Sequence, residues 1–225
     1  MTVDTAVSVR PLRTGDDAAV AEIFAATMLL GSRSDQPIAH FDRYTNLCLG
    51  WYLGPGRSDA AVAECAGTIV GYSLVCTNSS DQASWVRRHS ASLMAPVSWQ
   101  LATFRLDAFS RRFYAARARD ARALWRAGHA PLMPVHAHLN VVPHARTGTV
   151  ALLLRDHIDT RARLAGSAGW WAEMNAADGR RERALVRLGL HVVHRTRNET
   201  LSGLMHAHVN RLTLVRELPL ASAEG

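Results

Sequence analysis

Two histidines and an asparagine alternate along one stretch of this chain in a pattern that brings polar chemistry to one surface. Val135–Val142 is an apolar, strand-like run that Pro143 closes. Residues two apart on a strand point to the same face, so His136, His138 and Asn140 share a face. A histidine changes charge near neutral pH, which suits it to accept a proton in catalysis. The alternative is that both histidines are interior residues with satisfied hydrogen bonds.

A carboxylate occupies the middle of the next strand-like run. Glu173 lies in Trp170–Met174, and an unpaired carboxylate is costly to bury. Glu173 is therefore either a base with a raised pKa or the partner of an arginine, and we favour the ion pair. Asn175 follows the strand, where it caps a turn or contacts a ligand.

The segment after Val135–Val142 has the features of an anion site. Pro143 is followed by the turn Arg146-Thr-Gly-Thr149, and then by an apolar helical pattern over Thr149–Ala165. The free N–H groups and the dipole at a helix start attract anions, and small residues let a phosphate come close. Arg146 adds a positive charge there. The alternative is a simple connection between a strand and a helix.

The remaining patterns supply the elements that must position these residues. Strands alternate with amphipathic helices, which predicts a mixed sheet flanked by helices, of the α/β or α+β class, in one domain over residues 1–225. The stretch at about 79–130 is a long helical insertion between the third and fourth strands. Predicted local features are a capping box at Thr14 and Asp17, a hairpin at Ala66-Gly67, a helix end at Gly189, and final strands over His191–Thr196 and His206–Leu218.

Composition restricts the class of protein further. Hydrophobic residues make up 48% of the chain and charged residues 20%, which is typical of a globular domain. The net charge of +7 comes from arginines that are scattered through the sequence, and no nucleic-acid-binding motif accompanies them, so no nucleic-acid partner is expected. No stretch is long and apolar enough for a membrane span, and no signal peptide is evident, so a cytoplasmic location is expected.

Neither the cysteines nor the remaining histidines predict a metal site. The three cysteines lack the spacing of metal ligands, and the apolar surroundings of Cys65 and Cys76 indicate small core residues. His194, His206 and His208 lie on the final predicted strands, where alternating histidines are weak grounds for metal binding.

The region from Leu139 to Ala151 resembles the cofactor-binding motif of the GNAT superfamily of N-acetyltransferases. In that family a strand ends in proline, and the pattern Arg/Gln-x-x-Gly-x-Gly/Ala then opens a long helix; Arg146 and Ala151 match it. The run from His136 to Pro143 is also similar to bacterial GNAT proteins that resemble the acetyltransferase-like domain of O-GlcNAcase. The likeness extends over the whole chain except the insertion.

The resemblance implies acetyl-CoA as cosubstrate and assigns roles to residues. Pantetheine would lie along Asn140, Val141 and Val142, with Asn175 near it. The pyrophosphate would sit on the helix start, formed by Arg146, Thr147, Gly148, Thr149, Val150 and Ala151. His138 would lie closest to the thioester and is the favoured base, with Glu173 as its rival and Asn140 beside it in the catalytic group.

Three positions depart from the family pattern. Thr149 replaces a glycine that allows close approach of the pyrophosphate, and Leu185 occupies the position of the usual tyrosine acid. Asn140 stands where we expect an acidic residue in the O-GlcNAcase-like subset.

The sequence therefore favours an acyl-CoA-dependent N-acyltransferase that acetylates a small-molecule amine, with a homodimer as the expected assembly. The alternative is a catalytically degenerate GNAT-like domain that binds acyl-CoA or a partner without turnover. The insertion is the expected source of acceptor specificity. Its arginines Arg111, Arg112, Arg117 and Arg119 are expected on a solvated face, and would favour an anionic or carboxylate-bearing acceptor if a few of them point inward.

Overall fold

The computed structural model describes residues 7–127, 133–146 and 148–219. Its strands are β1 Val7–Pro11, β2 Ala60–Cys65, β3 Thr68–Cys76, β4 His136–Val141, β5 Gly169–Ala176, β6 His191–Arg197 and β7 Asn210–Glu217. Its α-helices are α1 Asp17–Thr27, α2 Phe41–Leu53, α3 Ser79–Ala102, α4 Ala108–Ala127, α5 Gly148–Leu164, α6 Gly179–Arg187 and α7 Glu199–Met205.

The strands form one sheet in the order β1-β2-β3-β4-β5-β7-β6. Every neighbouring pair is antiparallel except β4 and β5, which run parallel. α5 makes the crossover between these two parallel strands, as a parallel pair requires. The mixed sheet flanked by helices confirms the predicted fold class.

Alternation along β4 divides its side chains between the two faces of the sheet, as the sequence predicts. Ala137 and Val141 lie in the apolar core on the side of α5, where they join Ile158 and Leu154 respectively. On the opposite side His136 approaches α2, where its Nδ1 lies 3.2 Å from the hydroxyl of Tyr52. The polar face of β4 is therefore the one that α1 and α2 cover.

Glycines end two of the predicted elements. Ala66 and Gly67 both have positive φ, 48° and 75°, which is the backbone of the two-residue hairpin turn between β2 and β3. Gly189 has φ 78° after the end of α6, a conformation in which a side chain would be strained.

Two local predictions are wrong. The first turn is capped by Asp16, which accepts the N–H of Arg13 at 2.7 Å, so Thr14 and Asp17 do not form the box. The final predicted strand is also too long, because β7 begins at Asn210 and the short helix α7 precedes it. Seven residues are too few to show helical periodicity, and Asn198 caps α7 by accepting the N–H of Leu201.

The insertion between β3 and β4 is helical, as predicted, but it is divided. α3 and α4 are separated at residues 103–107, where Phe104 has φ 57°. α3 packs on α2, and α4 packs on α7. The insertion therefore covers the same face of the sheet as the polar side chains of β4.

Candidate functional site

β4 and β5 separate almost as soon as they meet. Their register contains one pair, His136 with Trp171, next to a hydrogen bond of 3.0 Å from Trp171 N–H to Val135 O. Beyond that pair β4 continues along β3, and β5 continues along β7. A gap therefore opens in the middle of the sheet, with unpaired strand edges on both sides.

The hydrogen-bond pattern shows which backbone groups of β4 face this gap. Val142 N–H donates to Val70 O at 2.9 Å, so Val142 is bonded to β3. Residues of an antiparallel strand alternate in the side to which they bond, so Asn140 also bonds to β3. The backbone groups of Leu139 and Val141 point into the gap instead. The expected backbone contacts of Asn140 and Val142 with a ligand thus move to Leu139 and Val141.

A cavity of about 350 Å³ lies on the polar face beside the gap. The predicted site residues His138, Asn140, Glu173 and Asn175 all line it, two from each strand. Alternation on β5 places Glu173 and Asn175 on the face opposite Ala172 and the apolar core. The structure therefore brings together four residues that the sequence proposed separately.

The chain superposes on solved structures, several of which are named as acetyltransferases. The chain superposes on SsHAT with a TM-score of 0.63 at 18% identity, over 94% of this chain and 98% of that one. It superposes on yncA of Salmonella typhimurium, solved with its cofactor acetyl-CoA, with a TM-score of 0.53 at 14% identity and 98% coverage of both. A Drosophila melanogaster polyamine N-acetyltransferase that forms N-acetylagmatine gives 0.50 at 16%, over 95% and 100%.

The chain has the GNAT fold. No family sequence model matches it, and no curated protein matches its sequence. The fold likeness that the Leu139–Ala151 motif predicts is thus confirmed by structure at low sequence identity.

The start of α5, where the sequence predicts an anion site, is accessible. A Cβ placed on Gly148 would meet no atom within 4 Å, so the helix start is open. Thr149 is exposed, whereas Val150 is 1% exposed and packs in the core with Val141. Val150 can therefore contribute only its backbone to a ligand, and Ala151 is partly buried one residue further. Thr147 lies outside the described residues.

Arg146 makes contacts that the sequence did not predict. Its Nε donates to Val141 O at 3.1 Å, and its Nη1 donates to Leu30 O at 3.1 Å. The side chain thus ties the end of β4 to the loop after α1. It occupies one of the two carbonyls that face the gap, so a ligand that pairs with Val141 must displace it.

A second cation that sequence reasoning missed lies near Arg146. Arg181, in the first turn of α6, lines the cavity. Burial lowers the pKa of Arg181, and the charge of Arg146 lowers it further. Burial also lowers the pKa of Arg146. Two guanidinium groups close enough to repel each other are typical of a place that receives an anion.

The histidines of β4 lie in aromatic surroundings. The His138 ring meets the rings of Tyr52 and His136 edge-on, with centroids 5.3 and 4.7 Å apart. Burial lowers the pKa of His138 to about 4, so its imidazole is neutral at pH 7. His136 is buried, and within the described residues its Nε2 has no hydrogen-bond partner. These surroundings fit the interior alternative for His136 better than for His138, which lines the cavity.

The two asparagines of the site hold neighbouring groups in place. Asn140 donates from Nδ2 to the Tyr72 hydroxyl at 2.6 Å, and burial raises the pKa of that tyrosine. Asn175 accepts from Asn198 Nδ2 at 2.8 Å. Asn198 is the cap of α7, so Asn175 links β5 to that helix.

Glu173 has no ion pair within the part of the chain that the structure describes. The sequence favoured an ion pair with an arginine, and the structure corrects this: the carboxylate lines the cavity without a salt bridge to any described residue. The charge of Glu173 still acts on Arg117 from across the cavity. The geometry therefore favours the alternative in which the carboxylate faces a ligand.

Charged residues that the sequence did not assign to the site also lie at the cavity. Arg117 of α4 and Arg211 of β7 line the cavity, and Asp120 lies beneath them at 2% exposure. Asp120 accepts hydrogen bonds from Glu199 N–H, Thr200 N–H and the Thr200 hydroxyl, at 2.8, 3.2 and 2.5 Å. One signal was available, because Asp120 is the only acidic residue in the sequence of the arginine-rich helix α4.

Leu185 cannot supply the proton that the family's tyrosine supplies. Its side chain is 6% exposed and belongs to the core beneath the sheet. The hydroxyls of residues that line the cavity come from other elements, namely Thr27, Tyr44, Tyr72 and Thr200.

A larger cavity of about 680 Å³ adjoins the first on the side of the insertion. Phe113 and Thr200 line both, and α4, α7 and residues 29–36 enclose the second.

Among the described residues, no cluster of three or more potential ligands is arranged to hold a metal ion. None of the described helices has the length and apolar character that crossing a bilayer requires.

Proposed function

We propose that this protein is an acyl-CoA-dependent N-acyltransferase that transfers acetyl from acetyl-CoA to the amine of a small molecule. The observation that carries the proposal is the gap between β4 and β5, which leaves Leu139 and Val141 without a partner strand beside a cavity lined by Glu173 and His138. The acetyl-CoA that accompanies the Salmonella structure supports the choice of cosubstrate.

The chain offers a group for each part of such a cosubstrate. Leu139 and Val141 present backbone groups to the amides of the pantetheine arm. The open helix start at Gly148 and Thr149, together with Arg146 and Arg181, suits the pyrophosphate. Binding must draw Arg146 away from Val141 O, so one movement frees the strand and directs the guanidinium to phosphate.

In the transfer step the acceptor nitrogen bonds to the acetyl carbon as the carbon–sulfur bond breaks. The nitrogen loses a proton to a base, and the thiolate that leaves gains one. We propose Glu173 as the base, because its negative charge also attracts an ammonium group. His138 is the second candidate, since a pKa of about 4 makes its neutral imidazole a weak base.

The catalytically degenerate alternative has its own support. Leu185 is buried in the core, and Arg146 occupies Val141 O. A domain that only binds acyl-CoA would show both features. Three further statements remain predictions of the sequence. They are a cytoplasmic location, a single domain over 1–225 with an insertion at about 79–130, and a homodimer.

Two measurements separate these functions. Acetyl-CoA at about 100 times its dissociation constant should stabilise the protein by about 2.7 kcal/mol in a thermal unfolding assay. No shift at millimolar acetyl-CoA in low salt contradicts both functions. The second measurement follows acetylated product by mass spectrometry over a broad panel of amines. A thermal shift with acetyl-CoA but no acetylated product supports the degenerate alternative.

A further inference from the structure

We infer that the small molecule bound on the acceptor side carries a carboxylate beside its amine, and that Arg117 and Arg211 bind this carboxylate. The inference rests on the proposed function, because it identifies the acceptor class of that same site. It also departs from the polyamine named for the Drosophila structure, whose acceptor is a cation.

The charges around the cavity favour an anionic group. Among the residues that line it, the cations are Arg117, Arg181 and Arg211, and Glu173 is the one acid. Arg181 lies toward Arg146 and the phosphate end. Arg211 lies on β7 beside Asn175, and Arg117 faces the cavity from α4. Both lie near Asp120, which binds Thr200 at the border with the second cavity, where the acceptor would enter.

Asp120 does not satisfy these two arginines. Its Oδ2 lies 3.7 Å from Arg117 Nη1 and 3.8 Å from Arg211 Nη2, beyond hydrogen-bond distance. Its oxygens are already used by three hydrogen bonds from Glu199 and Thr200 at the start of α7. Within the described residues neither guanidinium has a side-chain hydrogen bond, although Arg211 is only 7% exposed. Both side chains line the cavity, so a carboxylate that enters it can accept the hydrogen bonds that Asp120 does not.

The register of the sheet sets the spacing between the carboxylate site and the base. Arg211 pairs with Asn175, and Glu173 pairs with Thr213, so Glu173 and Arg211 are diagonal neighbours on one face. The backbone positions of diagonal neighbours on an antiparallel pair are about 7–8 Å apart. A ligand with an ammonium group at Glu173 and a carboxylate at Arg211 is therefore short, as an amino acid is.

Arg117 is held ready for the same group. Its guanidinium carbon lies 5.7 Å from the centre of the Tyr44 ring, and Tyr44 packs edge-on against Phe113 at 5.3 Å. A guanidinium supported by an aromatic face loses less freedom when it binds a planar anion. Arg117 and Arg211 thus face the cavity from two different elements, α4 and β7. This arrangement favours a carboxylate that accepts hydrogen bonds from both guanidinium groups.

Matched ligand pairs test this inference directly. Arginine and agmatine, lysine and cadaverine, and phenylalanine and phenethylamine differ only by a carboxylate. Each is titrated calorimetrically into the full-length protein saturated with CoA. We expect at least one amino acid to bind at least tenfold more tightly than its decarboxylated amine. Equal or weaker binding of all three amino acids, or no binding of any of them at 10 mM, overturns the inference.

Variants show whether the two arginines are responsible. Arg211→Gln and Arg117→Gln should each remove most of the preference, whereas Arg111→Gln, at an exposed position on the same helix, should keep it. If Arg211→Gln does not fold, Arg117→Gln decides, because its side chain is 35% exposed. A preference that survives in folded Arg117→Gln means that the arginines only support α7, and overturns the inference.

Product analysis keeps the inference distinct from the proposed function. Preferential binding of an amino acid together with an acetylated product supports both. Preferential binding without product by mass spectrometry contradicts the transferase activity and retains the carboxylate site. Acetylation of agmatine or cadaverine in preference to the matched amino acid supports the activity and overturns the carboxylate site.

Discussion

One wall of the cavity, the strand wall, consists of β4 and β5. The other, the helical wall, consists of α4 and α7, and Arg211 of β7 reaches Asp120 of that wall from a position beside Asn175. On the strand wall, His138, Asn140, Glu173 and Asn175 point inward because of their places in an alternating pattern. On the helical wall, the contacts of Asp120 reach residues about 80 positions away in sequence. The first wall is local in its origin, and the second depends on tertiary packing. The strand wall is where chemistry is expected, and the helical wall is where the acceptor is chosen.

The largest expected effect comes from the strand wall. Glu173→Gln should lower kcat by about 10²-fold or more, because it removes the proposed base with little change of volume. His138→Gln should lower kcat by about tenfold or less, since a pKa of about 4 already makes the imidazole a weak base. Steady-state kinetics with acetyl-CoA checks both, and acetyl-CoA affinity should stay nearly unchanged in each. The reverse ranking would return the role of base to His138, as the sequence favoured.

The second largest effect is expected on stability, from a substitution in the helical wall. Asp120→Asn should lower the free energy of unfolding by about 3 kcal/mol, because buried Arg211 and partly exposed Arg117 lose their charge partner and α7 loses hydrogen bonds to a charged group. Denaturant unfolding measures this loss. Asp156→Asn is the control, since the Asp156 side chain is 57% exposed. A loss below 1 kcal/mol would mean that α4 and α7 are held together by apolar packing alone.

A smaller effect, on ligand binding, is expected at Arg146, between the end of β4 and the start of α5. Arg146→Ala should weaken CoA binding about tenfold through the lost phosphate contact, and leave pantetheine binding unchanged or tighter, because Val141 O becomes free. Calorimetric titration of both ligands distinguishes these effects, with exposed Arg187→Ala as the control. Equal weakening of the two ligands would show that Arg146 has a structural role only.

The smallest effect concerns pH. His138 and His157 each have a pKa that burial lowers to about 4, against about 6.5 for an unfolded histidine. Between these values the unfolded state binds more protons, so stability is present above pH 6.5 and is lost as pH falls toward 4. Each histidine should contribute a slope of about 1.4 kcal/mol per pH unit in that window. His138→Gln should reduce the slope in urea titrations, with exposed His191→Gln as the control.

Sequence reasoning reached the strand wall because its positions follow from short-range rules. Pro143 fixes the end of β4, and alternation then places His138 and Asn140 on one face. Of the three residues expected to pair with pantetheine, the structure places the backbone of Val141 at the gap and bonds Asn140 and Val142 to β3, because the sequence does not show which edge of β4 faces β3. The role of Arg146 toward Leu30 O was equally inaccessible, since that contact spans 116 residues.

The helical wall could not be predicted in the same way. α7 has seven residues, and it is stabilised by Asn198 and Asp120 rather than by a periodic pattern of its own. Arg117 belonged to a helix of many arginines, and only its neighbour Asp120 and the ring of Tyr44 distinguish it. Arg211 lies on a strand whose beginning was predicted four residues too early.

The single backbone pair between His136 and Trp171 has a consequence for how the molecule unfolds. The strands form two ladders, β1 to β4 and β5 to β7. Residues of both ladders, such as Ala137 of β4 and Ala172 of β5, share a core with Ile158 of α5, whereas Leu154 packs with residues of the first ladder. Cooperativity between the ladders therefore passes through this shared core and through α5. The amides of Leu139 and Val141 should exchange with solvent deuterium faster than those of Asn140. A molecule that lies in the gap acts as a missing strand, and it would slow that exchange and merge the two ladders into one unfolding unit.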